Sequence, residues 1–183
     1  MINKPKDWDE VAESEVVESS GLPVGAYPCQ IKNVIDIAEK EYLEIQFDIV
    51  KGDYTNYFID LQERLNLDKW PNQGIYRASY KETATKFFKA FITAIQKSNQ
   101  GYVWNWNPET LKGKYMIANF GEEEYEYEGD IKTSVKVREI RSIEAWKAGD
   151  VKELPLKKLR TTKKDTSVNF DDIKTVSADD LPF

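Results

Sequence analysis

Two stretches of strict alternation constrain this chain more than anything else in it. Tyr27, Cys29 and Ile31 alternate with Pro28, Gln30 and Lys32; Leu43, Ile45, Phe47 and Ile49 alternate with Glu44, Gln46 and Asp48. Successive side chains of a strand point to opposite faces, so a period of two predicts strands with one buried and one wet face. A turn near Glu39-Lys40 separates the two runs. Lys51-Gly52-Asp53 predicts the next turn, and residues 54–60 are expected to form a third strand, completing a meander.

Residues 61–76 read as irregular, with Trp70-Pro71-Asn72-Gln73-Gly74 as breakers. Ser79-x-x-Glu82 has the form of a capping box, in which a hydroxyl and a carboxylate satisfy the free amides of a helix start. The helix that follows carries Ala84, Phe87, Phe88, Phe91, Ile92 and Ile95 at helical spacing, and its three phenylalanines are expected in the core. Asn99-Gln100-Gly101 ends it. The aromatic stretch 102–107 is stopped by Pro108. Residues 114–120 predict a fourth strand that continues over 122–128 into a hairpin turning at Gly129-Asp130. A fifth strand is expected over 131–143, with Val135 and Val137 on one face and Lys132, Ser134, Lys136 and Arg138 on the other.

Three strands, a helix and two strands is the element order of an OB-fold. The expected fold is therefore mainly β: a five-stranded Greek-key barrel with one helix between strands three and four, plus extended termini. The expected organisation is an acidic arm (1–21), the barrel domain (22–149), a basic linker (150–170) containing Lys157, Lys158, Arg160, Lys163 and Lys164, and an acidic tail (171–183).

Charge is unevenly spread. The chain holds 26 basic and 32 acidic residues; residues 1–20 and 171–183 together take 3 of the former and 10 of the latter, leaving 23 basic and 22 acidic between them. The body can thus present a basic face although the whole chain carries a formal charge of -6. Histidine is absent, which excludes His-based zinc sites, Ser-His and Cys-His catalysis and His general bases. Cys29 is the one cysteine, so no internal disulfide forms; its place in the alternation predicts a small buried side chain. Lacking an apolar run of bilayer length and a leader-like start, the chain is expected to be soluble, with no membrane partner. No cofactor, metal or catalytic constellation is expected.

The sequence closes on Asp171 and Asp172, then Asp179-Asp180-Leu181-Pro182-Phe183. Acids followed by an apolar, aromatic tip suit capture in a basic, partly apolar pocket. Position by position these five residues resemble the acidic C-terminal tip of single-stranded DNA-binding proteins, with Leu181 where Ile is usual. Over residues 22–149, Gly113-Lys114-Tyr115, then Glu122-Glu123-Glu124-Tyr125-x-Tyr127-x-Gly129, then Arg141-Ser142-Ile143 are similar to proteins from replication modules of phages of Gram-positive bacteria. The resemblance implies single-stranded DNA binding in phage replication or recombination, in a bacterial host's cytoplasm. It implies that the tip (Asp179, Asp180, Leu181, Pro182, Phe183) docks onto replication or recombination proteins or competes with DNA for the groove. A homo-oligomer is compatible with it.

Single-stranded DNA asks for cations along its phosphates and flat rings against its bases. The candidate rings outside the core stripes are Tyr54, Tyr57, Trp70, Tyr76, Trp104 and Trp106. Tyr54 and Tyr57 have opposite strand parity, so one of them at most is expected on an open face. The candidate cations are Lys32, Arg77, Lys81, Lys132, Lys136 and Arg138. Tyr125 and Tyr127 sit among Glu122, Glu123, Glu124, Glu126 and Glu128, an acidic surrounding that would repel phosphate and excludes them from the path. Two alternatives compete: a carbohydrate-binding or protein-interaction OB-fold, which uses the same rings, and a metal-dependent nuclease, which needs a compact acidic constellation that the sequence lacks.

Overall fold

A computed structural model describes residues 21–159. The arm over 1–20, the linker from residue 160 and the tail 171–183 lie outside the described residues. The elements in chain order are β1 (Gly25–Ile37), β2 (Tyr42–Ile49), α1 (Tyr57–Arg64), β3 (Ile75–Ser79), α2 (Thr85–Ser98), β4 (Tyr115–Tyr127), β5 (Asp130–Arg141) and α3 (Ile143–Lys147). The five strands form one antiparallel sheet in the order β3-β2-β1-β4-β5. A long connection through α2 brings β4 back beside β1, which is Greek-key order.

The alternating runs become the middle of this sheet. Cys29 pairs with Ile49 and Ile31 with Phe47; a bulge at Lys32 then shifts the register, so that Val34 pairs with Ile45. The extra residue explains why the buried positions of β1 run 29, 31, 34 rather than by twos. Pro28 is tolerated because its missing N–H lies beyond the β1–β2 ladder, which begins at Cys29. Leu43, Ile45, Phe47 and Ile49 are buried, and Phe47, Phe58 and Phe120 meet ring to ring at 5.7–6.3 Å. Each such side chain contributes about 1.5–3 kcal/mol by leaving water.

The sheet is open, which corrects the expected closed barrel. β3 has five residues against twelve in β5, and no ladder joins them among the described residues. Gln73 Nε2 instead donates to the Val135 carbonyl at 2.8 Å, bridging the gap with a side chain.

The expected third strand over 54–60 is a second correction, because α1 begins at Tyr57. The reason is Asp48, which the alternation had assigned to the wet face. It is fully buried at the end of β2, where its carboxylate accepts from Ile49 N (2.8 Å), Phe58 N (3.0 Å) and Ile59 N (3.1 Å). A carboxylate fixed by the sheet satisfies the first amides of α1, a tertiary contact no strand pattern reveals. The third strand falls instead at the end of the stretch read as irregular. Ser79 is its last residue, not a helix cap: its Oγ donates to Glu41 O and accepts from Lys81 N.

Helix α2 forms as expected and buries Phe88, Phe91, Ile92 and Ile95, but Phe87 is 66% exposed, one residue off the stripe. At the far end, β4 and β5 turn through Glu128 (φ 53°) and Gly129 (φ 85°), a two-residue hairpin loop. β5 stops at Arg141, and Ser142 caps the short α3 by accepting from Ala145 N. Residues 152–159 then run along β4 beyond its pairing with β1. Lys157 N donates to Glu122 O and Glu124 N to Lys157 O, satisfying strand-edge groups that would otherwise lie open.

Candidate functional site

Two grooves abut across β3. The first, about 810 Å³, lies between the outward faces of β1 and β2 (Ile35, Glu44, Gln46) and the loop after α1 (Asp68, Lys69, Trp70). The second, about 520 Å³, fills the gap between β3 and β5 and is walled by Gln73, Tyr76, Ser134, Val135, Lys136 and Val137. Asn72, Ile75 and Arg77 line both, so the two form one trough crossing the open edge of the sheet.

Strand parity sets what this trough exposes. Tyr76 and Ala78 pair with the buried Ile45 and Leu43 and face inward, leaving Ile75 and Arg77 outward. Arg77 reaches Asn72 Oδ1 at 3.2 Å and Glu44 at 3.9 Å. Trp70 is half-buried, its indole N–H donating to Gly74 O at 3.1 Å. A Cβ on Gly74 would come within 2.7 Å of both Phe58 and Trp70, so only glycine lets the indole lie this close to the chain. Tyr76 rests on Phe91 with ring centroids 5.6 Å apart; burial, then the nearby Glu139, raises its phenol pKa. Ser134 Oγ is buried in the trough wall and has no hydrogen-bond partner among the described residues. Lys69 and Arg77 share the first groove with Glu44 and Asp68, and Lys136 in the second approaches Glu123 to 3.8 Å, so the trough is open and close to neutral rather than strongly basic.

Trp70, Tyr76, Arg77 and Lys136 are therefore brought together, while the other candidates sit elsewhere. Tyr54 and Tyr57 belong to a belt of edge-to-face rings with Tyr27 and Phe58, and Tyr57 Oη accepts from Leu22 N. Trp104 packs on Phe88, and its indole N–H is buried without a partner among the described residues; Trp106 beside it is 79% exposed. Lys32 occupies the β1 bulge and donates to Gln30 Oε1. Lys81 is exposed ahead of α2. Lys132 lies over the Tyr127 ring at 4.5 Å. Arg138 is engaged structurally, donating to the Pro155 and Glu122 carbonyls. The partner-binding candidates Asp179, Asp180, Leu181, Pro182 and Phe183 lie outside the described residues.

Sequence reasoning missed Asn72, Gln73, Ser134 and Lys69. The breakers around Trp70 marked the loop but not the edge it would border. In the hairpin, the register separates the rings from three of the acids. Tyr125 pairs with Lys132 on one face, whereas Glu122, Glu124 and Glu126 pair with Val135, Thr133 and Ile131 on the other. Among the described residues no helix is long and apolar enough to cross a membrane. The sequence matches no family model and none of the curated proteins compared with it.

Proposed function

We propose that the chain is a non-catalytic, sequence-tolerant single-stranded DNA-binding protein of the kind found in phage replication or recombination modules, built on an open variant of the OB-fold. The strand order supports the fold reading. With β1 between β2 and β4, and β3 and β5 at the two edges, a ladder between β3 and β5 would complete the five-stranded barrel. The trough over β2 and β3 lies on the face that OB-folds commonly use for oligonucleotides.

The observation that carries the reading is the convergence of Trp70, Arg77 and Lys136 on one open trough. A ring stacks on any base, and cations spaced along a groove follow the backbone without reading sequence. Glu44 and Asp68 temper the field, so binding should be moderate and salt-sensitive. The test is a tryptophan-fluorescence titration with oligo-dT at several salt concentrations, with a duplex of equal length as control. Quenching by the single strand that weakens with salt supports the reading; equal affinity for the duplex, or no binding, overturns it. A second reading, saccharide binding, draws on the same two carboxylates, which flank Trp70 as hydroxyl acceptors would. Titration with neutral oligosaccharides separates the two, because sugar binding does not fall with salt.

A further inference from the structure

Away from the trough, the outer side of α2 forms a shallow cleft with the end of β5 and with α3. Lys86, Lys89, Lys97 and Arg141 stand around it. Its floor is made of short, mostly apolar side chains, Ala90, Ala94, Ile140 and Ala145, with the hydroxyls of Thr93 and Ser142 among them. The α2 residues recur at intervals of three and four, which makes them one stripe opposite the core stripe of Phe88, Phe91 and Ile95. α3 is tied to this helix by Ile143 N donating to Ser98 Oγ at 3.0 Å, so the cleft has a fixed wall. No acid lines it, and none of its four cations lies within 4.0 Å of a carboxylate among the described residues. The trough differs in just this respect, since Glu44 and Asp68 line it.

We propose that this cleft is the docking site for the chain's own acidic segment, residues 171–183, held in cis. Charge complementarity selects the occupant. Asp171, Asp172, Asp179 and Asp180 match the four cations, which have no carboxylate partner among the described residues, and Leu181, Pro182 and Phe183 match a mostly apolar floor flanked by lysine stems. The lengths agree. Lys86 and Lys97 are about 16 Å apart along the helix axis at 1.5 Å per residue, and the five residues 179–183 span about 17 Å when extended. Asp179 lies 20 positions after Leu159, a reach of up to roughly 70 Å on a domain of roughly 14 Å radius of gyration. Tethering supplies a local concentration on the order of millimolar, so weak contacts suffice. Docking here leaves the trough open and does not depend on what the trough binds.

The experiment uses the full chain with Ser177→Cys carrying a nitroxide. Cys29 is fully buried and its thiol pKa is raised by burial, so the label goes to the new position. The expected result is loss of amide peak intensity at Ala90, Thr93, Ala94 and Ala145, restored when the nitroxide is reduced. High salt should abolish the loss, and so should Lys89→Glu with Lys97→Glu. Asp179→Asn with Asp180→Asn should abolish it without touching the folded domain. Intensity loss at Ile75, Arg77 and Ser134 instead, no loss anywhere, or loss seen only between different copies in a mixture of labelled and isotope-enriched chains would overturn the proposal. None of these outcomes involves nucleic acid, so none bears on the function proposed for the trough.

Discussion

Trp70 and Gly74 act as one unit. The indole lies against the glycine and gives its N–H to that residue's carbonyl, which orients one ring in the trough. Gly74→Ala forces a methyl into Phe58 and Trp70 and should cost about 1–3 kcal/mol, the usual range for overpacking; urea denaturation followed by fluorescence measures it. Trp70→Ala removes the ring itself and should weaken oligo-dT binding by about 1–3 kcal/mol. Trp106 is far more exposed but lines neither groove. Trp106→Ala should leave that affinity unchanged, and the pair of titrations tests whether position in the trough, rather than exposure, decides stacking.

Among the elements, α1 depends most on a single distant side chain. Three backbone amides converge on the buried Asp48 carboxylate. Asp48→Ala would leave them without an acceptor, two of them at the start of a helix, and should destabilise the fold by about 2–4 kcal/mol. Asp48→Asn keeps one acceptor oxygen and should cost less; chemical denaturation ranks the two. The β4–β5 hairpin shows the opposite case, an element that carries local strain. Glu128 holds φ 53° in a turn where Asn is favoured over Glu. Glu128→Asn should raise stability by about 0.5–1 kcal/mol, read as an increase in denaturation midpoint.

For the molecule as a whole, residues 152–159 are the strap across an otherwise open edge. Glu123 clamps it: Lys157 Nζ donates to its carboxylate at 2.7 Å, and Lys136 approaches to 3.8 Å. These contacts, led by the Lys157 hydrogen bond, lower the Glu123 pKa. A lowered folded pKa means the clamp contributes in full above the ordinary carboxylate range near ~4.3 and is lost as pH falls through the folded value. Glu123 is about three-quarters buried but Lys157 is more than half exposed, so solvent screens the pair and the contribution is below about 1 kcal/mol. The protection factors of the Glu124 and Lys157 amides should therefore fall on acidification, and Glu123→Gln should show the lower protection already at neutral pH without further acid dependence there.

The middle of the sheet was legible in the residues because it rests on local rules. Alternation placed Cys29, Leu43, Ile45 and Phe47 inside, the helical stripe placed Phe88, Phe91 and Ile95, and Gly129 marked the hairpin. Where two distant segments compete for one backbone, those rules ran out. Asp48 turned an expected strand into α1 by reaching ten residues along the chain. The short β3 left the sheet unclosed, and that gap is one half of the trough. Whether Trp70, Arg77 and Lys136 share a surface is a matter of strand order and register, set by how the whole chain buries its apolar faces, and no period in the residues encodes it. The order of the strand-forming segments in β1, β2, β4 and β5 could be read directly, because a side chain's preference for water or core is its own; the edge, the helix cap and the trough came from folding, because each requires partners remote in the chain.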